Sequence, residues 1–135
     1  MMSGNPTEVG ARAEAAVASA LVRSGRSVFL PVFGLNTRTD LIYEAQDKLL
    51  RVQCKTARLL GQVLGFRTCS NTKNVPRSYD GEIDEFGVYS PDLNLVYLVP
   101  ARGLPTRFCS LRLAPTRNGQ SKGVWWADQF VLGPP

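Results

Sequence analysis

The chain has 135 residues, 44% of them hydrophobic and 20% charged, which suits one compact domain with a core and leaves too little length for two. The 16 Lys and Arg residues outnumber the 11 Asp and Glu for a net charge of +5, so the surface favours an anionic partner such as nucleic acid. Histidine is absent, which excludes imidazole-assisted serine or cysteine catalysis, histidine-ligated metals and nucleases with a histidine base, and leaves carboxylate, amide and lysine chemistry around a hard cation.

In chain order, Asn5-Pro6-Thr7-Glu8 predicts a helix start: Asn5 caps free amides, Pro6 fits the first turn and Glu8 completes an N-x-x-E box. The helix runs to about Ser24, with Val9, Ala13, Ala16, Val17, Ala20 and Leu21 on one stripe and Gly25 as its stop. Small residues dominate the stripe, so the helix can lie close to a sheet. Glu14 falls on the border of the stripe, where a glutamate can face a cleft. Ser27 to Val32 predicts a strand, and Phe33 to Arg38 a loop. Asp40 to Glu44 and Leu49 to Thr56 form a hairpin turning near Gln46-Asp47. Val63 to Arg67 predicts a further strand, and the polar run from Cys69 to Asp80 predicts a mobile loop. Within that run Tyr79 either anchors the loop or stacks on a base. Phe86 to Tyr89 and Leu95 to Val99 flank the turn Pro91 to Asn94 as a second hairpin. Beyond Arg102 the pattern weakens: Phe108 to Leu113 fits an edge strand, and Trp125 and Trp126 fit the core or a subunit interface.

The first hairpin gathers chemistry. Side chains alternate along a strand, so Arg51, Gln53 and Lys55 share one face while Leu50, Val52 and Cys54 share the other. A turn centred on Gln46-Asp47 sets Asp40 opposite Gln53, with Lys55 next along the strand. A two- or four-residue loop preserves this register, and a three-residue loop destroys it. A carboxylate, an amide oxygen and an ammonium thus meet, with Glu14 available from the helix. The three cysteines, Cys54, Cys69 and Cys109, are too scattered for a disulfide framework or a thiolate zinc site and are expected to be reduced. No apolar run reaches the roughly 18 residues of a membrane span, and the N-terminus lacks an apolar signal core, so a cytoplasmic protein is expected.

Gly10-x-x-x-Glu14, Asp40 and Val52-Gln53-Cys54-Lys55-Thr56 resemble the motifs of the PD-(D/E)XK nuclease superfamily, in particular the branch of group I intron homing endonucleases and archaeal Holliday-junction resolvases. Ile83-Asp84-Glu85-Phe86, Val88-Tyr89 and Val96-Tyr97-Leu98-Val99-Pro100 resemble that branch's closing hairpin, which extends the likeness over residues 8 to 100 and leaves the role of 101 to 135 open. Two positions depart from the pattern. Thr39 replaces the proline of the motif name, and Gln53 stands where most members carry Asp or Glu, although the branch includes members with this Gln. A neutral carbonyl oxygen there gives a cation less charge than a carboxylate.

The resemblance implies an α/β restriction-endonuclease-like fold, a mixed β-sheet flanked by helices with the N-terminal helix first. It implies a DNA endonuclease that uses Mg²⁺, with Mn²⁺ as a substitute, and leaves a 5′-phosphate and a 3′-hydroxyl. Asp40 is then the main metal ligand, Gln53 a second, Glu14 a direct or water-mediated third, and the backbone carbonyl of Cys54 a further one, while Lys55 orients the attacking water and stabilises the transition state. Arg51, Arg58, Arg67, Lys73 and Arg77 are candidate DNA contacts, weighed against ordinary solvated cations. A small domain covers little DNA, so the resemblance implies a homodimer or homotetramer; no membrane and no small-molecule cofactor is called for. A long specific site, a branched junction and foreign DNA all fit as substrates. A nuclease-inactive DNA-binding module of the same fold is the alternative, and a partner-binding protein without a nucleic-acid role the third.

Overall fold

The structure, a computed structural model, describes residues 4–72, 75–79 and 81–135, and of 71, 72 and 75–78 the backbone alone. Helix α1 spans Pro6–Arg23 and starts where the cap predicts: the Asn5 side chain accepts the Glu8 amide at 2.9 Å. It ends on Gly25, whose positive φ of 87° lets the Arg26 amide reach Leu21 O and the Gly25 amide reach Val22 O, each at 3.0 Å. Ala13, Ala16, Val17, Ala20 and Leu21 are buried, as the stripe requires.

The strands are β1 (Val28–Phe29), β2 (Leu41–Ala45), β3 (Lys48–Thr56), β4 (Arg58–Leu60), β5 (Val63–Arg67), β6 (Cys69–Thr72), β7 (Val75–Ser78), β8 (Glu85–Ser90), β9 (Leu95–Pro100), β10 (Phe108–Arg112), β11 (Trp125–Trp126) and, after a 3₁₀ turn at Ala127–Gln129, β12 (Val131–Gly133). The main sheet runs β1-β2-β3-β8-β9-β12 and is mixed, because β3 and β8 are parallel while the other neighbours are antiparallel. The β2–β3 turn has two residues, Gln46 and Asp47, with φ of 52° and 64°, and its ladder pairs Ala45 with Lys48 and Leu41 with Val52. Two residues of positive φ match the twist of the strands they join, and this fixes the register from the turn outward.

The two faces of the main sheet are covered differently. Val52, Cys54, Leu41, Tyr43 and Val96 pack with α1. Here the small-residue stripe matters: a Cβ added to Gly87 of β8 would lie 2.6 Å from Val17 Cγ1. The opposite face carries Phe86, Val88, Tyr97 and Val99, which pack against Leu64, Phe66, Cys109 and Leu111 of a second sheet, β11-β10-β5-β4. Hence β3 alternates between the helix on one side and the second sheet on the other.

Three expectations change. The strand expected from Ser27 to Val32 shrinks to Val28–Phe29, since Pro31 has no amide to donate to a ladder; Leu30, Val32, Phe33 and Leu35 beyond it are exposed. The loop expected from Cys69 to Asp80 is in its described part a hairpin, with Cys69 paired to Ser78 and Thr72 to Val75; Asp80 lies outside the described residues. β10 is an inner strand rather than an edge, because β11 lies parallel to Leu111 and Arg112 while β5 takes its other side. Trp125 and Trp126 form β11 and stay half-buried. All three cysteines are free and buried. Among the described residues no helix is long and apolar enough to cross a membrane.

Candidate active site

The site lies where β2 has ended and β3 runs on. Asp40, one step before β2, donates its amide to Val52 O at 2.8 Å; Val52 is already the ladder partner of Leu41, so Asp40 and Leu41 both meet this one residue, as in a β-bulge, and the regular pairing stops at Leu41. The next β3 amide on that side, Cys54 N, has no β2 main chain to meet, and the Asp40 carboxylate accepts it at 2.8 Å. In a strand the N–H and C=O of one residue point the same way, so the Cys54 carbonyl also faces the Asp40 side. Gln53 and Lys55 leave the opposite face of β3 from Val52 and Cys54. The two-residue turn gives the register expected from the sequence as far as Leu41 and Val52, and Asp40 lies just beyond it, held by the Val52 carbonyl and the Cys54 amide rather than by a ladder pairing with Gln53.

Glu14 arrives from α1 on the Cys54 side. Though largely exposed, it lies near enough to Asp40 for the two charges to act on each other. Burial, and then the charge of Asp40, push the Glu14 carboxyl above its usual range. Asp40 is also pushed up by burial, against the pull of the Cys54 amide and the Lys55 charge. The Cys54 thiol is pushed well up by burial and by both carboxylates, so it stays neutral. Two partly desolvated carboxylates facing one another are electrostatically unfavourable, and a cation between them relieves both.

The donor set fits a hard dication: two carboxylates, the Gln53 amide oxygen and the Cys54 carbonyl, all oxygen. Among the described residues no three or more His, Cys, Asp or Glu side chains gather as a metal cluster, and the carboxylates within electrostatic reach of one another here are Glu14 and Asp40. Such a set suits an ion that keeps several of its waters.

Lys55 is held from the second-sheet side. Its Nζ donates to the Tyr79 hydroxyl at 3.1 Å and stands 4.7 Å from the centre of the Tyr79 ring. Tyr79 is buried and meets Phe86 edge to face, so it anchors its segment to the core rather than offering a ring to a base. The Arg38 guanidinium stacks 3.5 Å over the same ring, bonds Ser70 Oγ at 2.7 Å and pairs with Glu82 at 3.3 Å. Arg38 and Tyr79 were not foreseen as part of the site. Tyr79 is 24 residues from Lys55, and no local spacing signals such a contact.

The candidate DNA contacts scatter. Arg51 is engaged with Asp84, which takes its amide at 2.8 Å and its guanidinium at 3.2 Å. Arg58 and Arg67 are exposed on the outer sheet, on β4 and β5. Lys73 and the side chain of Arg77 lie outside the described residues.

Comparison with known proteins bears on the family and the fold. The PD-(D/E)XK endonuclease family profile matches residues 4–132, well past the motifs that end near residue 100. Among solved structures a bacterial homing endonuclease, I-Ssp6803I, is similar in fold, with a TM-score of 0.69 over 96% of this chain and 88% of that chain at 18% identity. No curated protein matches the chain.

Proposed function

The chain belongs to the PD-(D/E)XK endonuclease family, and on that premise we propose that it is a Mg²⁺-dependent DNA endonuclease whose site is Glu14, Asp40, Gln53 and Lys55. The observation that carries the reading is the Asp40 carboxylate, bonded to the Cys54 amide at 2.8 Å and within electrostatic reach of both Glu14 and Lys55. Asp40, Glu14, the Gln53 amide oxygen and the Cys54 carbonyl are the groups that would hold the ion. Bound there, Mg²⁺, or Mn²⁺ in its place, supplies Lewis-acid polarisation of the scissile phosphate and acidifies a bound water. Asp40 is fixed in advance by the Cys54 amide, so its orientation need not be found during the reaction. Lys55 brings an ammonium to the phosphate, where it orients the attacking water and offsets the charge that builds up in the transition state. Water attack on phosphorus with the 3′ oxygen leaving gives a 5′-phosphate and a 3′-hydroxyl.

The net charge of +5 supports DNA as the partner. The neighbour described as a homing endonuclease makes a long duplex site the first substrate to try. Cutting both strands calls for two copies of the site, hence a homodimer or homotetramer. One specific feature favours a second reading, a DNA-binding module that does not cut: Gln53 replaces a charged ligand.

The test incubates the protein with long genomic DNA, supercoiled plasmid and a four-way junction in Mg²⁺ or EDTA, beside Asp40→Ala and Lys55→Ala. Cleavage that needs Mg²⁺ and falls at least about a hundredfold in each variant is expected. Salt-sensitive binding without cleavage, unchanged in both variants, would establish the binding module instead.

A further inference from the structure

We infer that Tyr79 is a positioning residue for this reaction: its hydroxyl holds the Lys55 ammonium in place, and the stacked Arg38 guanidinium holds the ring. The inference rests on the role proposed for Lys55. A lysine ammonium is a point charge on a flexible four-carbon stem, and such a group assists a transition state best when its place is set beforehand. Two contacts from one side chain set it here, the hydrogen bond to the hydroxyl at 3.1 Å and the ring at 4.7 Å.

Tyr79 is in turn confined on several sides. Phe86, next to Gln53 in the β3–β8 ladder, meets the ring edge to face with centres 5.5 Å apart. Arg38 covers it at 3.5 Å and is itself buried, with 8% of its side chain exposed, bonded to Ser70 of β6 and to Glu82. Arg38 precedes Asp40 by two residues, so the segment that delivers the carboxylate also carries the guanidinium that fixes the tyrosine. A buried tyrosine hydroxyl needs a polar partner, and the partner Tyr79 has is the ammonium on the candidate catalytic strand. This one directs its hydroxyl at Lys55, while its ring packs in the core between the two sheets.

Tyr79→Phe removes the hydroxyl and keeps the ring, its packing and its stack with Arg38. In the full-length protein the single-turnover cleavage rate is expected to fall by about tenfold, with DNA affinity measured in Ca²⁺ unchanged and the variant fully folded at the assay temperature, its unfolding midpoint only slightly lowered by the lost hydrogen bond. Tyr79→Phe added to Lys55→Ala is expected to cost nothing further, since the hydroxyl acts through the lysine. A second readout needs no cleavage: the two ε-methylene proton signals of Lys55, distinct while the chain is held, are expected to converge in Tyr79→Phe. Wild-type cleavage by Tyr79→Phe beside a Lys55→Ala slowed about a hundredfold would overturn the inference and leave the nuclease reading standing. An equal loss in the Lys55→Ala background, or unchanged ε-methylene signals, would overturn it as well. A wild-type protein that cuts no DNA while the signals still converge would overturn the nuclease reading and keep the tyrosine's hold on the lysine.

Discussion

Gly87→Ala tests how closely α1 must approach the sheet to deliver Glu14. The new Cβ would lie 2.6 Å from Val17 Cγ1, 3.1 Å from Val17 Cγ2 and 3.0 Å from Val52 Cγ1. Contacts between carbon atoms are comfortable at about 3.5–4.0 Å, so the helix and sheet must part by several tenths of an ångström or more. Neither valine can give way cheaply. Both are fully buried, and a valine in a helix has essentially one rotamer. Overpacking of this kind costs about 1–3 kcal/mol, and the reduced freedom of the unfolded chain returns roughly 0.4–1 kcal/mol; three contacts this short, on valines that cannot turn away, belong in the upper part of the range, a net loss of about 2 kcal/mol. For a chain of this length that lowers Tm by roughly 6–12 °C. Urea unfolding followed by tryptophan fluorescence and circular dichroism gives the free energies for wild type, Gly87→Ala, Val17→Ala and the double variant. Val17→Ala vacates the space the new methyl needs, so the double variant is expected to be more stable than additivity predicts by more than about 1 kcal/mol. A Gly87→Ala protein within about 0.5 kcal/mol of wild type, or additive effects, would refute the close approach.

Mg²⁺ at ten times its dissociation constant is expected to stabilise the protein by about 1.4 kcal/mol, seen as a rise in Tm that EDTA reverses; Asp40→Asn keeps an acceptor for the Cys54 amide and should lose that rise, a result calorimetry checks directly. Glu85 is pushed above its ordinary value of 4.5 chiefly by burial, while the Tyr43 hydroxyl and Arg26 pull it back. Its native form therefore binds a proton more tightly than the unfolded chain does, and its contribution to stability is full below 4.5 and declines as pH rises through the native value. Glu85→Gln, which still accepts from Tyr43, should flatten that decline and match or exceed wild-type stability at neutral pH; parallel urea midpoints across the titration would contradict it. Asn5→Ala removes the acceptor of the Glu8 amide and should cost about 1 kcal/mol in urea unfolding, where a loss under a few tenths would mean that the cap is already replaced by water.

The motif-bearing half of the site was legible because its determinants are local. Asn5 and Gly25 bracket α1, the two-residue turn at Gln46-Asp47 fixes the hairpin register as far as Leu41 and Val52, and strand alternation sets Gln53 and Lys55 on one face of β3. Each step depends on residues a few positions apart, so a linear pattern contains it. What surrounds Lys55 depends on distant pairings. The second sheet joins β10 to β5 and to β11, the hairpin of β6 and β7 closes inside a polar run without strand periodicity, and only that assembly brings Tyr79 and Arg38 to the lysine. Arg51 shows the same limit, since alternation put it on the site's face and Asp84 of a distant segment engaged it. Short-range geometry set which groups the strand could present, and long-range packing decided which of them were held, paired or left exposed.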